Sequence, residues 1–197
     1  MECQRSDGVP TFYAKDLIAW REWLQENHTR VASVWLIIFH KKSDTPSVYY
    51  DDAVDEALCF GWIDSKPNKR DEESYYQYFS QRKPRSNWSR VNKEKIARLE
   101  EEGRLQAAGI EMISEAKRLG TWNALDEVEN GVIPNDLQEA FSRFPGAADY
   151  FAAFPWSVRR GILEWIFNAK RPATRTKRIQ ETAEKAAQNI RANQYRS

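Results

Sequence analysis

Seven consecutive residues, Val34-Trp35-Leu36-Ile37-Ile38-Phe39-His40, constrain the fold of this chain more than any others. The run is β-branched and aromatic, is bounded by polar residues and is followed by Pro46. It is short for a helix and fits a buried strand. A strand is not stable alone, so the chain must supply partners. Gly61 breaks a preceding helical pattern, and Trp62-Ile63-Asp64 opens an extended segment. That segment turns through Pro67-Asn68-Lys69-Arg70 and returns as Tyr75-Tyr76-Gln77-Tyr78-Phe79-Ser80, the pattern of a β-hairpin. The expectation is a small antiparallel sheet of about three strands.

Helical spacing dominates the rest. Residues 14–26 repeat Leu17, Ile18, Trp20, Trp23 and Leu24 at intervals of three and four. Residues 50–58 carry Asp51 and Asp52 in their first turn, where the helix dipole favours negative charge. Ser89 is positioned to cap a helix over 91–102 that Gly103 stops, and a second helix over 107–119 ends at Gly120. Residues 127–131 read as a weak strand or loop. Helices over 135–143, 147–153 and 157–169 each follow a proline, whose missing N–H costs little at a helix start. A last helix over 173–192 has a thin stripe of Ile179, Ala183, Ala186 and Ile190, the pattern of an element that clasps a body rather than forming its core. The Gly- and Pro-bearing stretch 130–134 marks a boundary. The fold class expected is therefore α+β: a region over 1–130 with a small sheet flanked by helices, then a helical module over 131–197.

The chain has 197 residues, enough for an ordinary domain or a medium one with an appendage. Eight Trp, eight Tyr and nine Phe make flat side chains carry much of the burial, about 150–250 Å² each. Net charge is +1 but uneven: residues 156–197 hold ten Lys or Arg against three acids, leaving −6 on the first 155. Such asymmetry reads either as a basic tail for an anionic partner or as basic helices matched to acids within the molecule. Only Cys3 and Cys59 occur, which is no disulfide framework and suits a reducing compartment. The first residues lack a signal-peptide pattern, and no apolar run approaches about 18 residues, so the expected location is the cytoplasm, with no membrane span.

Motifs for common chemistries are absent. His28 and His40 stand alone, and no HExxH, CxxC, GxSxG or phosphate-cradling glycine loop occurs, so no metal site and no cofactor are expected. The informative segment is Gln81-Arg82-Lys83-Pro84-Arg85-Ser86-Asn87-Trp88-Ser89-Arg90. From Arg82 to Lys95 there are six bases and one acid, running into a helix start. Arg forks, helix N–H groups and a Trp face together make an anion pocket; alternatively this is a solvated loop with capping residues and a core Trp. Asp64 ends an apolar strand beside this loop, as a partner for Arg82 or Arg85 or as a plain turn acid. Cys59 sits in an apolar run and reads as packing. The acids Asp51, Asp52, Asp55, Glu56, Asp71, Glu72 and Glu73 form either a weak cation surface or a solvated face.

The stretch from Ala53 to Asp64, then Arg82-Lys83-Pro84-Arg85-Ser86-Asn87-Trp88-Ser89 with Val91-Asn92-Lys93, and the C-terminal run Ile166-Phe167-Asn168-Ala169-Lys170-Arg171-Pro172, resemble the YdeI/OmpD-associated, or bacteriocin-protection, family. More remotely, the N-terminal part resembles YdhG-type proteins, a frataxin-like group linked to iron. The first resemblance implies a non-enzymatic bacterial binding or stress-protection protein and brings no established catalytic residues. The expected ligand site joins Arg82, Lys83, Arg85, Asn87 and Trp88, with Trp62 and Asp64 in support, and its partner is a small anion. A small-molecule enzyme in the same cleft, with Asp64 as base and Arg85 holding substrate charge, is the alternative, together with an iron partner. A nucleic-acid partner is disfavoured, since it requires one uninterrupted basic face.

Overall fold

A computed structural model describes residues 8–193; Cys3, and with it any statement about pairing with Cys59, lies outside them. The chain divides into two units, Met1–Asn123 and Ala124–Ser197.

The first unit is mixed. Strands β1 (Thr11–Tyr13), β2 (Ser33–Phe39), β3 (Trp62–Lys69) and β4 (Ser74–Gln81) form one sheet in the order β1-β2-β4-β3. β2, the run that anchored the sequence reading, lies between β1 and β4. It pairs antiparallel with β4, Trp35 opposite Tyr78 and Ile37 opposite Tyr76. Its even residues Val34, Leu36 and Ile38 enter the main core, while Trp35 is buried on the other face against the edges of Tyr78 and Tyr76, at 4.8 and 6.2 Å between ring centres. Both faces of β2 are thus covered, which is why it reads as continuous rather than alternating hydrophobicity.

The sheet has four strands rather than three. β1 is three residues long and pairs in parallel with β2, Phe12 opposite Leu36, so it had no alternation of its own to reveal it. The hairpin turn also differs from the expectation. β3 runs through Pro67 to Lys69, and the turn falls at residues 70–73. Asp71 closes it by accepting from the Glu73 and Ser74 amides at 2.9 and 2.8 Å. Pro67 is tolerated because β3 is an edge strand with a register shift between Asp64 and Pro67.

Helices α1 (Leu17–Asn27), α2 (Tyr50–Cys59), α3 (Arg90–Glu101) and α4 (Ala107–Arg118) complete the unit. α2 packs on α1, β3, α3 and α4. α4 approaches so closely at Gly109 that an added Cβ would stand 2.3 Å from the Cys59 carbonyl oxygen. Cys59 itself is buried, and loss of solvent pushes its thiol up to about 11, as expected of packing rather than a nucleophile.

The second unit is all helix: α5 (Asp126–Glu129), α6 (Asn135–Ser142), α7 (Ala147–Ala153), α8 (Trp156–Phe167) and α9 (Pro172–Ala187). The stretch read as weak strand or loop overlaps the single turn of α5, and Leu125 and Val128 belong to this second core. α9 is more than a clasp. It packs on α6, α7 and α8, and Ile179, Ala183 and Ala186 are core residues, because small alanines allow close helix approach. Ile190 lies beyond the helix and is exposed. The basic C-terminal residues find acids within the unit: Arg160 bonds Glu129 at 2.8 Å, and Arg175 bonds Asp136 at 2.7 Å. Among the described residues, no helix is long and apolar enough to cross a membrane.

Candidate functional site

The site begins where α2 ends. Gly61 adopts a left-handed φ of +73° to turn the chain from α2 into β3, a conformation glycine takes without strain. Its carbonyl accepts the Arg82 amide at 3.0 Å, so the residue just after β4 is fixed against that corner. Arg82 is 4% exposed. Its guanidinium carbon sits 3.6 Å from the centre of the Trp88 ring, and Nη2 donates to the Asn87 carbonyl. Nε and Nη1 are buried and have no hydrogen-bond partner among the described residues. Burial pulls the guanidinium down to about 10, with the nearby Asp64 charge working the other way, so Arg82 stays a cation at neutral pH.

A buried cation with idle donors is expensive, because the hydration it lost has not been replaced. Arg82 lines a cleft of about 620 Å³ within the first unit, together with His28, Phe60, Trp62, Glu111 and Met112. That volume lies in the range of small-molecule sites, roughly 300–1,000 Å³. Trp62 is buried, stands edge-on to Trp23 at 5.9 Å and donates Nε1 to the His28 carbonyl at 3.2 Å. Gln81 donates to the same carbonyl at 2.9 Å. The His28 ring makes a 2.9 Å bond between Nδ1 and the Leu24 carbonyl; because a carbonyl only accepts, Nδ1 carries a proton.

The other residues singled out in the sequence scatter around this centre. Trp88 is buried behind Arg82, and Asn87 contributes its backbone carbonyl. Ser89 caps α3 by accepting the Asn92 amide at 3.3 Å. Lys83 and Arg85 are exposed in a turn closed by Ser86 and are not among the cleft-lining residues. Asp64 accepts a 2.7 Å hydrogen bond from the Tyr50 hydroxyl, and burial together with that carboxylate pushes the Tyr50 phenol up. Among the described residues no ion pair joins Asp64 to Arg82 or Arg85. His28, Glu111 and Met112 had no local signal, since they come from α1's end and α4 and meet Arg82 only through the fold.

Of the acids read as a cation surface or a solvated face, Asp51, Asp52, Asp71, Glu72 and Glu73 are exposed, as in the solvated reading, whereas two acids of α2 depart from both readings. Asp55 and Glu56 are 6% and 1% exposed, neither solvated nor clustered as a cation site. Glu56 bonds Arg21 at 2.6 Å and also Arg104; Asp55 bonds Lys95 at 2.7 Å and also Arg98. These pairs tie α2 to α1, to α3 and to Arg104 in the loop before α4. Among the described residues no group of three or more His, Cys, Asp or Glu side chains is placed to hold a metal ion.

Comparison with known proteins divides the chain in a similar way. Residues 12–112, just over half of it, match a family described as a domain of unknown function, DUF8412. The chain belongs to this family. The matched span includes Arg82, Trp62, Trp88 and most of the cleft-lining residues, though not Ser114, Glu115 or Arg118, together with the central motifs that resembled the bacteriocin-protection family. Residues 130–189 match the family described as bacteriocin-protection, YdeI or OmpD-associated, so that resemblance holds over the helical unit. No curated protein and no solved structure matches.

Proposed function

We propose that the first unit binds a small anion in the cleft beside Arg82, and that the chain is a non-enzymatic binding protein with a stress-protection role, in line with the bacteriocin protection after which the family matched by its helical unit is named. The observation that carries this reading is the Arg82 guanidinium, buried against Trp88 with Nε and Nη1 unpartnered, in a residue that lines the cleft. An anion there would supply the missing acceptors. The enzyme alternative draws no support from Asp64, which serves Tyr50 and does not line the cleft. A nucleic-acid surface over 82–95 is weakened because Arg82 is buried and Lys95 is paired with Asp55.

A ligand that binds only the folded state raises its stability. Thermal unfolding of the full chain in phosphate, sulfate and acetate at fixed ionic strength tests the proposal. The melting temperature should rise with at least one anion in the wild type, and the rise should vanish in Arg82→Gln. No specific rise with any anion contradicts it.

A further inference from the structure

The charges and surfaces around Arg82 say more about the ligand than its sign. Two guanidinium groups and two carboxylates line the cleft. Arg118 donates Nε and Nη2 to the two oxygens of Glu115 at 2.7 and 2.6 Å, so that pair is neutral on its own. What remains is Arg82 against Glu111, with the Asp64 charge close enough to act on Arg82. The two loop cations that would answer a second negative charge, Lys83 and Arg85, are not in the lining. A single anionic charge is matched by Arg82; a second one meets Glu111 and Asp64 with no cation to offset it.

The remaining wall is mixed: His28, Thr29, Gln81 and Ser114 are polar, Met112, Pro84 and Ala108 offer half-buried or exposed apolar surface, and Trp62 and Phe60 are core residues already almost wholly buried. A bare inorganic anion would leave the apolar part of this wall and most of the volume to water, whereas an apolar group would remove that part from water at about 25 cal/mol per Å². A planar carboxylate also suits a guanidinium whose carbon is held 3.6 Å from the centre of a Trp ring.

We propose that the cleft takes a monoanionic carboxylate carried on an apolar body, its carboxylate at Arg82 and its hydrocarbon part along Met112, Pro84 and Ala108. This rests on the anion-binding reading above. Glu111, exposed on α4, acts as the discriminating residue by disfavouring dianions.

Calorimetric titration of the full chain with naphthoate, its uncharged alcohol naphthylmethanol, and inorganic phosphate tests the assignment. Naphthoate should bind at least about tenfold more tightly than either of the others, which is the scale of one lost interaction of about 1.4 kcal/mol. Arg82→Gln should lose that advantage over the alcohol, and Arg82→Lys, which keeps the charge, should retain part of it. Glu111→Gln, an exposed substitution that leaves the core intact, should tighten phosphate more than naphthoate. If phosphate binds as tightly as naphthoate and both depend on Arg82, the carboxylate assignment falls while anion binding stands. If naphthoate binds equally well to folded Arg82→Gln, or nothing binds in an Arg82-dependent way, both fall.

Discussion

The two units solve the same problem, burying enough surface to fold, with different materials. The helical unit over 124–197 uses aliphatic and phenylalanine side chains, and sets most of its ion pairs at its surface, as at Arg175 and Asp136. The first unit buries charge. Among the described residues Asp55, Glu56 and Arg82 are buried there, against Glu129 alone in the second. Two of those three are satisfied: Asp55 and Glu56 each have two basic partners. Arg82 is the exception, and the difference teaches where to look. Arg82 thus stands apart from the paired Asp55 and Glu56, and its two idle donors, in a residue that lines the cleft, make it the group at which a ligand is to be tested.

The comparison can be broken by measuring what each unit loses. The largest effect is expected at Trp62, which is 1% exposed and packs edge-on to Trp23. Trp62→Ala should cost about 3–5 kcal/mol in chemical denaturation. A loss below about 1 kcal/mol would show that the aromatic corner is not core. Next comes Glu56→Gln, which leaves Arg21 and Arg104 facing a neutral amide and should cost about 3 kcal/mol, the low end for breaking a buried pair since both arginines retain some solvent. A neutral result would make the ion pairs of α2 ornamental and remove the contrast with Arg82.

Gly109→Ala follows. The added Cβ would lie 2.3 Å from the Cys59 carbonyl, so α4 must shift, at about 1–3 kcal/mol. Because α4 carries Glu111 and Met112, this variant should also weaken ligand binding, as seen by titration.

The smallest effect belongs to the helical unit. Arg175 holds the Asp136 carboxyl below its ordinary range by a hydrogen bond, so the folded value lies under the unfolded one, about 3.9. The stabilisation is therefore complete above that unfolded value and is lost as pH falls through the folded one. Both side chains are partly exposed, and Asp136→Asn should cost no more than about 1 kcal/mol at pH 7. A larger loss would place this unit with the first.

How much of this was readable beforehand follows from the range of each interaction. β2 and β4 carry their own hydrophobic pattern, and Ser89, Gly61 and the prolines before α6 to α8 punctuate their own helices, so these stood in the sequence. β1 did not, because three residues have no period and its pairing with β2 spans the whole of α1. The hairpin turn was misplaced because Pro67 looks like a breaker unless β3 is known to be an edge strand. At the site, Arg82, Trp88 and Trp62 were legible as a basic and aromatic cluster. Two things were not. The proline-stiffened loop that drew attention to Lys83 and Arg85 turns those side chains to solvent, and the acids Asp55 and Glu56 look like a surface run until α3 and Arg104 cover them. His28, 54 positions before Arg82, reaches the same cleft only because Trp62 and Gln81 both bond its carbonyl.

One measurement reports on the Arg82 guanidinium directly. In ¹⁵N-labelled protein the Arg82 Nε–H, held over the Trp88 ring and away from solvent, should give a slowly exchanging, ring-current-shifted resonance that is missing in Arg82→Lys. Adding naphthoate should move that resonance downfield as an acceptor reaches the guanidinium, with the arginine signals of pairs away from the cleft, such as Arg175 with Asp136, unchanged. A resonance that stays fixed through saturating naphthoate, phosphate and sulfate would contradict the account and leave Arg82 a structural clamp between Trp88 and Asn87.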